Sequence, residues 1–521
     1  MAATDAMGFW KIAEADPGHL AVVDPVADEM TYGELAALSN RVVRGLRALG
    51  LERGDQVTTV LPNGFEQVAV ALAAFQSGFY YTPVNWHLVG PEIAYIVNDS
   101  ESKVLIVHER FAGEAARVLA ETDLNPANCF SVGAVDGFRS FAELIDGQPD
   151  GRPDRLSTGA FMFYTSGTTG RPKGVRRALP AVDPDTMGAN SGGLFALFKC
   201  YPHDDNVHIT QAPLYHTAVN SWTTTSLQIG HSVVLMDRWS AEEALRLYET
   251  YHVTQSHMVP TMFNRLLQLP AQVRESYDVS SLRSMVHAAA PCPVETKRRM
   301  IEWWGDSIWE YYAATEGGGT YVSANEWMRY PGTVGKVWPN SEVIVVDESG
   351  QECPPFVSGT IYMRMGGNQF EYYKDEDKTA KSRLKDSGFW TVGDVGYFNE
   401  DGYLFLNDRS NDMIIVGGVN IYPAEIEGAL VQHPAVADVA VFGIPNEDSG
   451  EEIKAVIELR SGFEPGDDVV GSIMAFCRDN LARQKHPRSI DFTEEMPRDP
   501  NGKLYKRRLR DPYWEGRKRA I

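Results

Sequence analysis

A run rich in glycine and hydroxyl residues follows the short apolar stretch at 160–163. The run is Tyr164-Thr165-Ser166-Gly167-Thr168-Thr169-Gly170-Arg171-Pro172-Lys173-Gly174-Val175. Glycine tolerates positive φ angles, so the backbone here can turn its N–H groups inward, and the hydroxyls add further donors. With the positive charge of Lys173, the run predicts a strand followed by a cradle for a triphosphate. It is not a Walker A loop, because Gly174 follows the lysine where that loop has Ser or Thr.

The length and charge of the chain limit the class of protein. A chain of 521 residues exceeds what one hydrophobic core usually organises, so at least two domains are expected. The composition, 43% hydrophobic and 23% charged, is that of an ordinary globular protein. A net charge of −22 argues against a nucleic-acid partner. It does not argue against a nucleotide ligand, which a few local groups can hold.

The cysteines and the chain start indicate the compartment. The five cysteines are far apart and form no C-x-x-C pair, so neither a zinc site nor a disulfide framework is predicted. Residues 1–11 have no basic region leading into an apolar stretch, and no run reaches the roughly 18 apolar residues of a membrane span. A cytoplasmic location is therefore expected.

The hydrophobic pattern predicts the fold class. Over the first 150 residues, helical spacing, as at 35–51, alternates with short apolar strands at 57–61, 80–84 and 104–108. This β-α-β rhythm predicts α/β layers around a mostly parallel sheet.

Beyond about residue 334 the pattern changes to short strands with hairpin signals, including 341–346 and 359–365. These strands predict a barrel-like β subdomain. From about 412 a fresh, small α+β pattern begins. We therefore expect a large domain at 1–408, a hinge at 409–411 and a small, mobile C-terminal domain at 412–521.

Several further motifs accompany the glycine-rich run in a fixed order. They are Met30-Thr31-Tyr32-Gly33-Glu34-Leu35, Pro83-Val84-Asn85, Pro213-Leu214-Tyr215-His216, Ala288-Ala289-Ala290-Pro291, Tyr312-Ala313-Ala314-Thr315-Glu316, Thr391-Val392-Gly393-Asp394, Asp408-Arg409, Gly417-Gly418-Val419-Asn420-Ile421-Tyr422-Pro423-Ala424-Glu425-Ile426-Glu427 and Pro500-Asn501-Gly502-Lys503. Together they resemble the adenylate-forming superfamily, which contains acyl- and aryl-CoA synthetases, peptide-synthetase adenylation domains and luciferases. The tail at 513–517 looks like that of actinobacterial fatty-acid or steroid-acid CoA ligases.

The resemblance implies a ligase that uses ATP and Mg²⁺ to convert a carboxylate to an acyl adenylate and then to a CoA thioester. It also implies the nucleotide ligands. The phosphates would be bound by Thr165, Ser166, Gly167, Thr168, Thr169, Gly170, Lys173 and Thr315, the adenine by Ala289, Ala290, Pro291 and Tyr312, and the ribose by Asp394 and Arg409. Mg²⁺ would be held by Glu316, an oxygen ligand of the kind it prefers, and by Thr165.

The remaining implied roles concern the reaction itself. Lys503 would bridge the substrate carboxylate and the α-phosphate as charge develops in the transition state. His216 matches an aromatic gate between the acyl and CoA channels. Gly417 and Gly418 match the lining of the pantetheine tunnel, where a side chain would block the arm. Lys485 either meets the CoA phosphates or belongs to a solvated basic face.

Two positions depart from the family pattern, and two more have no assigned role. Ala313 stands where the family usually has glycine, a small change that should preserve ATP binding. Asn411 stands at the hinge, where Asp or Lys is usual, so a charge-based account of the hinge does not apply. His287 and Cys292 flank the adenine motif and receive no role from the sequence.

The residues expected around the acid indicate the substrate. The acyl pocket is expected from 216–226, 257–264, 288–291 and 315–321, which are mostly small or neutral. No acidic residue occurs in 220–236, so nothing there would pair the ammonium of an amino acid. The three glycines at 317–319 remove side chains from the expected wall. Medium- or long-chain fatty acids and bulky polycyclic acids fit best, and aryl acids stay open.

Other functions stay in competition with a CoA ligase. A stand-alone acyl-AMP ligase would hand its acyl group to a carrier protein, and a luciferase-like oxygenase would share every motif. A nucleotide-binding regulator without catalysis is disfavoured because both Glu316 and Lys503 are present. The expected partners are the acid, ATP and CoA. The sequence does not determine the oligomeric state, and a homo-oligomer is one of the possibilities.

Overall fold

The computed structural model describes most of the chain. The described residues are 6–165, 172–203, 205–366, 370–385, 387–409, 412–416, 419–446, 449–498, 502 and 504–515, with the backbone alone at 408–409 and 419–420. The chain divides into two compact units. The first comprises Met1–Met258, Leu269–Val286 and Gly367–Lys381, and the second comprises Val259–Gln268, His287–Gly366 and Ser382–Ile521.

Helices and strands alternate through most of the described chain. The helices are α1 (Phe9–Ala15), α2 (Tyr32–Ala48), α3 (Phe65–Ser77), α4 (Gly90–Asp99), α5 (Ala112–Ala120), α6 (Phe141–Ile145), α7 (Pro184–Phe195), α8 (Thr217–Gln228), α9 (Ala241–Thr250), α10 (Pro260–Gln268), α11 (Ala271–Glu275), α12 (Val294–Trp304), α13 (Ala324–Arg329), α14 (Glu376–Lys381), α15 (Pro423–Leu430), α16 (Asp467–Asn480) and α17 (Lys506–Arg510).

The strands are β1 (Leu20–Val23), β2 (Glu29–Thr31), β3 (Gln56–Val60), β4 (Tyr80–Pro83), β5 (Ser102–His108), β6 (Cys129–Val132), β7 (Arg139–Ser140), β8 (Ala160–Phe161), β9 (Phe163–Thr165), β10 (Lys173–Arg177), β11 (Val207–Thr210), β12 (Ser232–Leu235), β13 (Gln255–Met258), β14 (Ser284–His287), β15 (Ile308–Ala313), β16 (Gly319–Ser323), β17 (Thr333–Val337), β18 (Ser341–Val346), β19 (Gly359–Met365), β20 (Phe370–Tyr372), β21 (Asp394–Phe398), β22 (Leu404–Arg409), β23 (Ile414–Val416), β24 (Val419–Ile421), β25 (Val436–Asn446), β26 (Gly450–Leu459) and β27 (Ser489–Thr493).

The first unit confirms the predicted parallel α/β arrangement. One sheet has the order β7-β6-β5-β3-β4-β8, and all its pairs are parallel. Its strand β5 carries Val104 to Val107 at 0–1% exposure, as expected for a parallel strand covered on both faces. A second set has the order β13-β11-β12-β1, also parallel, with β2 antiparallel at the edge. Strands β9, β10 and β20 form a separate antiparallel sheet.

Helix α2 shows how a cap sets a boundary. Helical spacing predicts 35–51, whereas the helix spans Tyr32–Ala48. Thr31 is its N-cap: the Thr31 hydroxyl accepts from the Glu34 backbone N–H at 3.3 Å, and the Glu34 carboxylate accepts from the Thr31 N–H at 2.8 Å. This reciprocal capping box starts the helix before its first apolar repeat.

The second unit contains two β structures. Strands in the order β15-β16-β17-β22-β21-β19-β18 are antiparallel, in the region where hairpin signals were read. A smaller sheet of order β24-β23-β26-β25, with β27 parallel to β26, packs with α15 and α16 around a core that includes Ile426, Leu430, Ile457 and Ile473. The predicted C-terminal α+β pattern is thus confirmed, while the hinge at 409–411 stays a prediction.

The membrane prediction can be checked on the described helices. Of these, none combines the length and the apolar character that a membrane crossing requires.

Two histidines in the core of the first unit predict a pH-dependent stability. His208 on β11 and His257 on β13 lie 6.4 and 5.8 Å from the ring of Trp222, with 1% and 4% exposure. Burial lowers the pKa of each imidazole to about 3. Below pH 6.5 the unfolded chain therefore takes up protons that the native state does not. The two histidines therefore leave the free energy of unfolding unchanged above about pH 6.5 and lower it progressively as the pH falls toward 3.

We therefore expect each histidine to cost about 2 kcal/mol of unfolding free energy at pH 5. Urea unfolding from pH 7.5 to 5 should show a smaller loss for His208→Gln or His257→Gln than for the wild type. The matched control is His252→Gln, because His252 is exposed. Wild-type and variant stabilities that fall in parallel with pH would contradict the prediction.

Candidate active site

The glycine-rich run connects two antiparallel strands of the first unit. Thr165 at the end of β9 is the register partner of Lys173 at the start of β10, and the Thr165 hydroxyl donates to the Lys173 carbonyl at 3.5 Å. The two predicted phosphate ligands therefore stand side by side where the connection begins and ends. A Walker A loop is followed by a helix, whereas this run is followed by strand β10. The structure therefore agrees with the sequence, in which Gly174 already showed that the run is not a Walker A loop.

The ammonium of Lys173 has a carboxylate partner. Its Nζ lies 3.4 Å from Asp375 Oδ2, just beyond β20, which pairs with β10. The pKa of Asp375 is lowered, chiefly because its carboxylate accepts from the Lys378 backbone N–H and then because of Lys173. Asp375 thus orients the lysine predicted to bind phosphate. The sequence motifs gave no indication of this residue.

A tight hairpin of the second unit carries Thr315 and Glu316. The strands β15 and β16 pair up to Ala313 and Gly319, which leaves the two residues in the turn between them. The turn is closed by a hydrogen bond from the Gly317 N–H to the Ala314 carbonyl at 3.0 Å. Glu316 is only 4% exposed, so its side chain is largely shielded from water.

The three glycines after Glu316 have conformational roles. Gly317 and Gly318 have φ angles of 109° and 73°, which favour glycine over residues with a side chain. A Cβ on Gly319 would collide with the Tyr312 carbonyl oxygen across the hairpin. The close approach of the two hairpin strands at this point therefore explains why residue 319 is a glycine. The predicted widening of an acyl pocket is not needed to explain it.

The predicted adenine and ribose ligands meet in the second unit. The Tyr312 hydroxyl donates to Asp394 Oδ2 at 2.6 Å, although the two residues are 82 positions apart. Asp394 begins β21 and is 8% exposed. The backbone of Arg409, on β22, is the register partner of Asp394. The fold thus brings together an aromatic ring, a carboxylate and the backbone position of an arginine.

The predicted adenine loop follows the end of β14. Ala288 is 4% exposed, whereas Ala289 and Pro291 are exposed. Ala289 has a φ of 73°, uncommon for a residue with a side chain and typical of sites where the surroundings impose a conformation. The loop therefore presents exposed backbone and small side chains in a fixed, unusual shape.

His216 lies at the start of α8 in the first unit. It is the N-cap residue of that helix, and its ring lies 4.3 Å from the ring of Tyr215. Tyr215 in turn contacts Trp86 edge-to-face, at 6.1 Å between ring centroids. The histidine is thus held against an aromatic cluster. Its predicted role as a gate stays a prediction.

Comparison with known protein families identifies the family to which this chain belongs. Residues 9–373 match the family described as AMP-binding enzyme, and residues 425–503 match the AMP-binding enzyme C-terminal domain. The chain belongs to the AMP-binding enzyme family. It is an AMP-forming acid–thiol ligase, which activates a carboxylic acid as its acyl adenylate.

Relatives of this AMP-binding enzyme extend over nearly its whole length. It is 31% identical over 507 residues to the long-chain-fatty-acid–CoA ligase FadD13 of Mycobacterium tuberculosis, covering 96% of this chain and 97% of the relative. It is 30% identical over 508 residues to the fatty acid–[acyl-carrier-protein] ligase ScoC of Streptomyces coeruleorubidus, with coverage of 94% and 93%. The structure of ATP-bound MatB from Rhodopseudomonas palustris aligns with a TM-score of 0.81 at 29% identity, over 96% and 97% of the two chains.

Some residues of the AMP-binding enzyme with a predicted role as a ligand, as the catalytic lysine, as part of the pantetheine tunnel or as the hinge lie outside the described residues. They are Ser166, Gly167, Thr168, Thr169, Gly170, Asn411, Gly417, Gly418 and Lys503. Lys485 is described, and its ammonium contacts both oxygens of Glu425 at 2.5 and 2.6 Å. A CoA phosphate would therefore have to share the ammonium with that carboxylate or displace it, and the predicted contact stays a prediction.

The carboxylate of Glu316 has the right chemistry for Mg²⁺ in an AMP-binding enzyme. Mg²⁺ is usually bound through one or two carboxylates, with water and substrate phosphates completing its shell. In the part of the chain that is described, no group of three or more His, Cys, Asp or Glu side chains could hold a metal by itself. A single buried carboxylate that shares the ion with ATP fits this pattern.

Proposed function

We propose that this member of the AMP-binding enzyme family is an ATP-dependent carboxylic acid:CoA ligase that acts on medium- or long-chain fatty acids or bulky polycyclic acids. The observation that carries the proposal is the hydrogen bond between Tyr312 and Asp394, with the backbone of Arg409 opposite Asp394. A tyrosine ring hydrogen-bonded to a carboxylate, with an arginine backbone opposite that carboxylate, suits an adenosine, whose base stacks and whose ribose hydroxyls donate.

The other residues take roles that follow from their chemistry. Glu316, buried at the tip of its hairpin, would hold Mg²⁺, which neutralises phosphate charge when bound. Thr165 and Lys173, side by side, would bind phosphate oxygens by hydroxyl and ammonium. Lys503 would stabilise the charge that develops as the carboxylate attacks the α-phosphate.

The helix that follows His216 supports a substrate that carries no charged group besides its carboxylate. Helix α8 buries Val219, Asn220, Trp222, Thr223 and Ser226, all neutral. No acidic residue occurs between Asn220 and Met236, so an amino-acid ammonium would find no partner there. An acid with an apolar body has no ammonium to bury, so it avoids the free-energy cost of an unpaired buried charge. The similarity to a long-chain-fatty-acid–CoA ligase also supports an acid of this kind.

A second candidate differs only in the acceptor. The similarity to a ligase named for an acyl-carrier protein supports transfer of the acyl group to a phosphopantetheine thiol on a protein. Both candidates share the first half-reaction, so only the acceptor separates them. An aryl-acid CoA ligase differs from the main proposal in the acid alone.

The products test the proposal directly. With ATP, Mg²⁺ and a panel of fatty, polycyclic and aryl acids, we expect AMP and pyrophosphate as the nucleotide products, because the acid attacks the α-phosphate. Chromatography would resolve AMP, ADP and acyl-CoA, with parallel reactions that contain a carrier protein bearing phosphopantetheine in place of CoA. ADP as the nucleotide product would overturn the proposal. Acylation of the carrier alone would favour the second candidate.

A further inference from the structure

A buried ion pair joins two elements of the second unit next to the predicted adenine loop. Lys297 on α12 is 0% exposed, and its Nζ lies 2.5 Å from Glu310 Oε2 on β15. The same ammonium lies 4.9 Å from the centre of the Trp327 ring, which is 1% exposed. Both charges are therefore removed from water and compensated chiefly by each other.

Burial of such a pair is electrostatically demanding. Burial lowers the pKa of Lys297 and raises the pKa of Glu310, and in each case the charge of the partner opposes the shift. A buried ion pair is usually no more stabilising than an apolar pair of similar volume. Its presence here is therefore poorly explained by stability alone.

The pair lies beneath both ends of the loop at 288–291. His287, 0% exposed, precedes the loop, and its Nε2 lies 3.7 Å from Glu310 Oε2. Cys292 follows the loop and is half-buried, and desolvation, together with the negative charge of Glu310, raises the pKa of its thiol. One carboxylate thus acts on the residue before the loop and on the residue after it. These are the two flanking residues to which the sequence assigned no role.

The same carboxylate is linked to the strand that carries Tyr312. Residues two apart on a strand point to the same face, so Glu310 and Tyr312 share a face of β15. Tyr312 donates its hydroxyl to Asp394 at 2.6 Å. The ion pair therefore ties α12 to β15 and fixes the spacing between the loop and the tyrosine, the two elements predicted to enclose the adenine.

We propose that Lys297 and Glu310 are positioning residues for ATP, which hold the loop at 288–291 and Tyr312 at the separation that the adenine ring requires. The inference rests on the proposed adenine-binding role of these elements. It adds that the polar character of the pair, and not only its volume, sets the affinity for the nucleotide.

The test compares single variants with an apolar double variant. Glu310→Gln leaves the buried ammonium without a countercharge, so both the melting temperature and ATP affinity should fall. Lys297→Met with Glu310→Leu removes both charges and should restore most of the melting temperature. We expect its Kd for ATP and KM for ATP to stay at least fivefold above wild type, with the KM for the acid unchanged. Recovery of both stability and ATP affinity would overturn the proposal.

A milder variant covers the case in which the double variant does not fold. Glu310→Asp keeps the charge but withdraws the carboxylate from His287, so Kd for ATP should rise about threefold or more with little loss of melting temperature. An unchanged Kd would overturn the proposal. Lys454→Met is the matched control, because Lys454 is also buried beside a carboxylate, 2.8 Å from Asp491, on β26. Its Kd for ATP should equal that of wild type.

The readout separates this inference from the proposed function. The Kd for ATP is measured by equilibrium dialysis without acid or CoA, so it does not depend on which acid is activated. A wild-type protein that bound ATP but formed no acyl-CoA would contradict the proposed function alone. Wild-type ATP affinity in Glu310→Asp would contradict the positioning role alone.

Discussion

Glu316→Gln is expected to slow formation of the acyl adenylate by about 10²-fold or more, the scale seen when a preorganised electrostatic contact to a transition state is lost. The carboxylate is 4% exposed at the tip of the β15–β16 hairpin. Glutamine keeps the shape of the side chain but loses the negative charge that attracts Mg²⁺. The measurement is pyrophosphate release at saturating acid over a range of Mg²⁺ concentrations, and half-maximal activity should require more Mg²⁺ than in wild type.

A second glutamate in the same unit provides the control. Glu326 accepts from the Ser323 hydroxyl at 2.7 Å in the capping box of α13 and has no predicted role in the reaction. Glutamine also serves in a capping box, so Glu326→Gln should keep close to wild-type activity. A Glu316→Gln protein with wild-type rate and Mg²⁺ dependence would remove Glu316 from the metal site.

Strands of the second unit were predicted well from the sequence because their pattern is local. The residues predicted at 341–346 and 359–365 are β18 and β19 to the residue. Both strands are bounded by turn residues, and they carry β-branched or aromatic side chains, such as Val343, Val345 and Tyr362, so local sequence is enough to indicate their bounds. Helix α2 was less well placed, because its N-terminus depends on the Thr31–Glu34 capping box and not on the apolar repeat.

The site was predictable as a set of motifs but not as a geometry. Tyr312 and Asp394 come from separate motifs, and no local pattern shows that the hydroxyl of one bonds to the carboxylate of the other. Their contact depends on the order of strands β15, β16, β17, β22 and β21, which is set by long-range pairing. The same reason applies to Lys173 and Asp375, which meet because β20 pairs with β10.

The buried ion pair could have been indicated by helical spacing. Helix α12 buries Lys297, Met300 and Trp304, which follow one another at intervals of three and four residues. Such spacing places all three on one helix face, so a lysine occupies a position of the apolar stripe. A charged residue there requires a buried partner. The partner, Glu310, lies on a strand, and only the structure identifies it.

Lys503→Ala is expected to slow acyl-adenylate formation by roughly 10²-fold or more, because the transition state loses a charge contact. Lys503 itself lies outside the described residues, but the residue before it is well fixed. The carbonyl of Gly502 accepts from Arg498 at 2.7 Å, and Arg498 forms a bidentate pair with Asp438. Gly502 has a φ of 75°, and a Cβ there would collide with Thr261, so glycine is required directly before the lysine.

The two half-reactions distinguish a chemical role of Lys503 from a folding defect. Thioester formation from pre-made acyl adenylate needs no attack on the α-phosphate, so Lys503→Ala should leave it nearly intact. Gly418→Leu should do the reverse, because its side chain would obstruct the pantetheine arm and leave the ATP site open. Opposite losses in the two variants would mean that adenylation and thioester formation depend on different parts of the C-terminal region. Equal loss of both half-reactions in folded Lys503→Ala protein would show that this lysine does not serve adenylation specifically.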